Sequence, residues 1–97
     1  MPFSHQLKFP SNDGFPVVAR LEQWRRKPSD FLKRGDVLAE IAIDDVAHLL
    51  RIDFPCLLSS LIAKPGDLLR TGDHLGACAA EGENLLYHRE SLVIRTA

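Results

Sequence analysis

Residues 27–38, KPSDFLKRGDVL, recur 37 positions downstream as residues 64–75, KPGDLLRTGDHL. Seven of the twelve positions are identical: Lys27/Lys64, Pro28/Pro65, Asp30/Asp67, Leu32/Leu69, Gly35/Gly72, Asp36/Asp73 and Leu38/Leu75. Phe31/Leu68 and Lys33/Arg70 are alike in kind, and upstream Leu21 and Trp24 stand opposite Leu58 and Leu61. A duplication of this size means one supersecondary unit used twice. Neither copy, at about 40 residues, can bury enough apolar surface to be stable alone. The two copies are therefore expected to cover each other's apolar faces.

Each copy reads as apolar strand, Pro-containing turn, short strand, Gly-Asp turn, strand. Pro28 and Pro65 suit turn position i+1, where the ring presets φ. Gly35-Asp36 and Gly72-Asp73 sit where the chain reverses, and glycine adopts φ > 0 there at little cost. Short β-rich pieces between frequent turn signals indicate a sandwich or barrel rather than a bundle. Arg20 to Arg26 is the only helix-compatible stretch, and Pro28 stops it early. Between the copies, Val37, Ala39, Ile41 and Ile43 alternate with Leu38, Glu40 and Ala42. The alternation resumes with Val46, His48, Leu50, Ile52 and Phe54. This predicts a β-hairpin with Asp44-Asp45 at its tip, since aspartate tolerates left-handed φ better than most residues.

At 97 residues the chain is read as a single domain, 1–97, with one modest core. A net charge of -1 gives no basic footprint for nucleic acid or an anionic membrane surface. No apolar run approaches the length that spans a bilayer. Met1 to Gly14 carries no apolar stretch of signal-peptide type, so a cytoplasmic location is expected. Cys56 and Cys78 are too few for a disulfide scaffold or an all-cysteine zinc site, and lack a C-x-x-C arrangement. They read as buried small apolar groups.

The run from Trp24 to Ala77 resembles the lipoyl and biotinyl carrier domains. Trp24, Asp30, Gly35-Asp36, Leu38, Glu40, Gly66-Asp67, Gly72-Asp73 and Leu75 match the family's doubled GD-x-V-x-x-GD-x-L pattern. Ser29 stands where the first glycine is usual. The resemblance covers about Phe15 to Cys78. It implies an all-β fold, a flattened β-barrel or sandwich of two four-stranded antiparallel sheets with quasi-twofold symmetry. The core would span about 15–85, and 86–97 would form a C-terminal extension with an extra strand.

The departure from the family lies at the tip. Lipoyl domains read Glu-Thr-Asp-Lys-Ala there and biotinyl domains Met-Lys-Met, whereas this chain reads Ala42-Ile43-Asp44-Asp45-Val46. Asp45 occupies the position of the modified lysine. Attachment of lipoate or biotin needs an amine to form an amide, and an ionised carboxylate is acceptor-only. No lysine lies between residues 35 and 63, so a shifted register supplies none. Lys8, Lys27, Lys33 and Lys64 are the remaining lysines, and each reads as a solubilising surface group.

Other candidate sites are weak. His5, His48, His74 and His88 lie in four separate places without helical i, i+4 spacing, which argues against a metal site. Asp44, Asp45 and Asp53 make too sparse an oxygen array for a hard cation. Ser59-Ser60 has no nucleophile-elbow context, and no glycine loop cradles phosphate. Arg25-Arg26-Lys27 reads as a solvated strand end or a contact for an acidic partner. Leu92-Val93-Ile94 is strongly β-forming. It is expected either to pair with the N-terminal strand near Gln6 to Phe9 or to stay an exposed edge for a partner.

The function these readings imply is non-catalytic. A lipoyl/biotinyl-like domain without its lysine would serve as a protein-interaction or scaffold subunit beside a lipoate- or biotin-dependent multienzyme complex, with no cofactor, metal, nucleic acid or membrane partner. Leu85-Leu86 and the C-terminal strand allow a homodimer. The alternative is a working swinging-arm carrier of acyl or carboxyl groups that uses another lysine. An enzyme in its own right lacks a catalytic constellation.

Overall fold

The computed structural model describes residues 3–80 and 91–97. Nine strands follow in order: β1 (Phe3–Lys8), β2 (Val18–Trp24), β3 (Phe31–Leu32), β4 (Val37–Ile43), β5 (Val46–Ile52), β6 (Cys56–Leu61), β7 (Leu68–Arg70), β8 (His74–Ala80) and β9 (Leu92–Thr96). They form a four-stranded sheet, β1-β8-β6-β3, and a five-stranded sheet, β7-β2-β4-β5-β9, with every pairing antiparallel. No helix occurs among the described residues. The stretch from Arg20 is extended because Ala19 and Leu21 alternate with exposed Val18, Arg20 and Glu22, a period of two that buries one face.

The turns follow from local chemistry. Lys27 to Asp30, Lys33 to Asp36, Lys64 to Asp67 and Arg70 to Asp73 all have positive φ at the third residue, at Ser29, Gly35, Gly66 and Gly72. In each, the fourth residue's N–H donates to the first carbonyl at 2.8–3.1 Å, the type II pattern. The closing aspartate adds a second bond, its carboxylate accepting the first residue's N–H at 2.8–3.0 Å. This recurrent bond is the physical reason for the four aspartates of the repeat.

The duplication extends to strand register. In β2–β4, Arg20, Leu21, Gln23 and Trp24 pair with Ala42, Ile41, Glu40 and Ala39, with a bulge after Leu21. In β6–β8, Leu57, Leu58, Ser60 and Leu61 pair with Ala79, Cys78, Ala77 and Gly76, with a bulge after Leu58. Every partner is displaced by 37. The halves also exchange equivalent bonds: Ser29 N–H donates to Leu58 O at 2.8 Å, and Gly66 N–H donates to Leu21 O at 2.7 Å. The place that β5 takes against β4 is taken against β8 by β1, the N-terminal strand.

One hydrophobic core draws on both sheets. Leu7, Leu32, Leu58, Leu75 and Cys78 meet Leu21, Leu38, Ile41, Leu50, Ile52 and Leu92. Fully burying one such side chain stabilises by about 1.5–3 kcal/mol. The core reaches upstream of Phe15, since Leu7 and Phe9 are buried.

Two expectations need correction. The second sheet has five strands rather than four, because β9 joins it. β9 does not pair with the N-terminal strand: it lies on β5 as the outer strand of the sheet, with Leu92 opposite Ile52 and Ile94 opposite Leu50. That register puts two apolar side chains on the buried face beside two others, and Asp53 N–H to Ser91 O at 2.9 Å anchors its start. Leu85-Leu86 and His88 lie outside the described residues.

Candidate functional site

The hairpin tip has the expected form. β4 ends at Ile43, β5 begins at Val46, and Ile43 and Val46 are cross-strand partners. Asp44 and Asp45 have φ of 50° and 64°, so the two-residue loop is a type I′ turn whose twist matches the strands. Both carboxylates are exposed, as are Val46 and Ala47. His48, half-buried one step along β5, contacts Val46 O through Nδ1 at 2.9 Å.

Charge around the tip is organised by β2. Arg20 pairs with Ala42 and bonds Glu22 at 2.8 Å. That bond, then the Glu22 charge, and more weakly the Asp45 charge, hold the Arg20 guanidinium above its usual pKa against a small desolvation cost. The same bond holds Glu22 below the usual carboxylate range. The tip is therefore an anionic, hydrogen-bond-accepting projection, and nothing on it can form an amide.

The four lysines are scattered and exposed: Lys8 ends β1, and Lys27, Lys33 and Lys64 begin or lie in the repeated turns. His5 is buried, His48 half-buried and His74 exposed. Among the described residues no group of three or more His, Cys, Asp or Glu side chains could hold a metal ion. Ser59-Ser60 sits on β6, Ser59 in the bulge, without a base partner among the described hydrogen bonds.

Arg25 and Arg26 open onto a cavity of about 480 Å³ with Arg51 and Asp36. Arg25 pairs with Glu40, Arg26 lies 4.0 Å from Asp36, and Arg51 donates to Gly35 O at 2.7 Å. The corresponding cavity of the second copy, about 380 Å³, is lined by Ile62, Leu68 and His74. Trp24 ties the two regions together through its indole N–H, which donates to Ala63 O at 2.8 Å.

Sequence reasoning missed one cluster. Cys56 and Cys78 are both buried and free. Cys78 pairs with Leu58 on β6, and Cys56 is the next inward residue of β6, so the two are diagonal neighbours facing the core. Each thiol shifts the other's acidity. On its other side Cys78 pairs with His5 of β1. His5 is 7% exposed, meets Phe54 edge-on at 5.9 Å, and its Nε2 is buried with no described partner. The sequence offered no sign of this grouping, because residues 5, 56 and 78 meet only through strand register.

Compared with known proteins, the chain matches no family model and no curated protein.

Proposed function

We propose that this chain is a lipoyl/biotinyl-like flattened barrel with quasi-twofold symmetry, without the modifiable lysine, acting in the cytoplasm as a non-catalytic interaction or scaffold subunit of a lipoate- or biotin-dependent multienzyme complex. The observation that carries this reading is the tip: a type I′ hairpin turn, held out on two seven-residue strands, with Asp44 and Asp45 where the resemblance places the attachment residue. The register shared between copies supports the barrel reading, since each half closes on the other through the same bonds. A partner enzyme would recognise the projecting tip and the adjoining Arg20–Glu22 pair by charge rather than by a tethered cofactor.

The test is in two parts. The chain isolated from its native host is expected to have the intact mass of the bare polypeptide. A mass raised by a lipoyl or biotinyl amide would instead establish the carrier reading, with Lys8, Lys27, Lys33 or Lys64 as the attachment point. Asp45→Lys is then offered to lipoyl and biotinyl ligases. Modification at residue 45 is the expected result, since ligases read the hairpin's shape as well as its lysine. A folded variant that neither ligase modifies would count against the family reading.

A further inference from the structure

In the core of the four-stranded sheet, three chemistry-bearing side chains sit together that the tip does not use. Cys56 and Cys78 are 1% and 0% exposed, on the adjacent strands β6 and β8, and both point inward. Diagonal neighbours on a sheet lie at the outer limit of disulfide reach. The two thiols are close enough to shift each other's acidity. Directly opposite Cys78, on edge strand β1, is His5, whose Nε2 is buried without a described partner. A buried ring nitrogen with no partner is costly.

We infer that Cys56 and Cys78 are an oxidisable dithiol, a modification site at which a small uncharged peroxide forms a disulfide between β6 and β8.

The chemistry balances with hydrogen peroxide as the oxidant. The Cys56 thiol loses its proton, and the thiolate sulfur attacks one peroxide oxygen. The O–O bond breaks, and the leaving hydroxide takes up that proton as water. Cys56 is then a sulfenic acid. The Cys78 sulfur attacks it, the S–O bond breaks, and the hydroxyl leaves with the Cys78 proton as a second water. Two thiols are oxidised by two electrons and one peroxide is reduced to two waters.

The order of attack follows from the pair. The hydrogen bond from Cys78 favours the Cys56 thiolate and lowers that thiol's pKa against the effect of burial. The same bond and burial push Cys78 up, so Cys78 stays a thiol until the second step. Access is through β1, which among the described residues is an edge strand bonded to β8 alone. Local fraying of an edge is the low-energy opening of a sheet. The copies also differ at these places: Ala19 and Ile41 stand where Cys56 and Cys78 stand, so only the second copy carries the pair.

The experiment exposes the reduced full-length chain to hydrogen peroxide. Free thiols are then alkylated under denaturing conditions, and intact and peptide masses are read. The expected product is a monomer lighter by two hydrogens, with no alkyl adduct and with Cys56 and Cys78 peptides linked. A dithiol reductant should restore both adducts. Two adducts after peroxide, a cysteine bearing added oxygen as the end product, or a dimer linked between chains would each overturn the inference. Cys56→Ala, a residue the first copy accepts as Ala19, should leave Cys78 reacting with peroxide about tenfold more slowly. An unaltered rate in a folded Cys56→Ala chain would show that the sulfurs act singly.

Discussion

The strands β2 to β5 and the group β6, β7, β8 and β1 share bulges, turns and register, yet they expose different chemistry. The outward row Leu68–Arg20–Ala42–Ala47 of the five-stranded sheet corresponds to the row Phe31–Leu57–Ala79–Ser4 of the four-stranded sheet. Arg20, Glu22, Glu40 and Arg25 charge the first face. Serines, alanines, Leu57 and Phe31 make up the corresponding part of the second. One hairpin closes on an anionic tip, whereas the equivalent strand ends on the other side, Phe3 and Ala80, are cross-strand partners from distant parts of the chain. β9 covers the outer edge of β5, while β1 has no neighbour beyond it in the sheet. The difference shows that register and turn bonds hold the scaffold, while outward and inward side chains can diverge once these bonds are kept.

Substitutions at matched positions can break or sharpen this comparison. The largest losses are expected at Leu38 and Leu75, equivalent and fully buried. Leu38→Ala and Leu75→Ala should each cost about 3 kcal/mol in chemical denaturation. Values differing by more than about 2 kcal/mol would mean that the halves do not share one core in the same way. Gly76→Ala comes next. A Cβ there would lie 2.1 Å from Ser60 O, so backbone must move, at a cost of about 2–3 kcal/mol. Its counterpart Ala39→Gly should cost only about 1 kcal/mol. A harmless Gly76→Ala would show that the bulge after Leu58 relaxes freely.

Smaller effects test the turns. Asp30→Ala and Asp67→Ala each remove a carboxylate bond to a turn N–H and should cost about 1 kcal/mol. Ser29→Gly should stabilise by about 0.5–1 kcal/mol, because Ser29 holds φ 83° where the second copy has Gly66 at 95°. Gly66→Ser should lose a similar amount, so the melting shifts of the two variants are expected to have opposite sign. The least disruptive change is Asp45→Lys, within about 0.5 kcal/mol of the parent, since the tip is exposed and makes no core contact. A larger loss there would mean that the tip carboxylates hold the hairpin together.

The hairpin was legible because alternation with a period of two runs from Ala39 to Ile43 and resumes from Val46 to Ile52, on either side of Asp44-Asp45; the bulge that buries Leu38 beside Ala39 was not. The four turns were legible because Pro at i+1 in two of them, or a Gly-Asp pair in three, acts within four residues. The place of β9 was not. The alternation of Leu92 and Ile94 identifies a strand with one apolar face, but several edges could accept it. Only the unfilled inner face beside Leu50 and Ile52 selects β5. The grouping of His5, Cys56 and Cys78 was equally hidden, because two separate strand pairings bring them together.

By itself, then, the sequence determined the alternating strands, the places of the turns, the duplication and the absence of an amine at the tip. Each of these depends on a few neighbouring residues: side-chain period, φ preference, or the chemistry of one group. The tertiary structure alone decided which edge β9 covers, that the N-terminal strand completes the second copy's sheet, and that two thiols and an orphaned imidazole share one buried space. These depend on pairings between residues tens of positions apart, where many registers satisfy the local pattern and the packing of the whole core selects one.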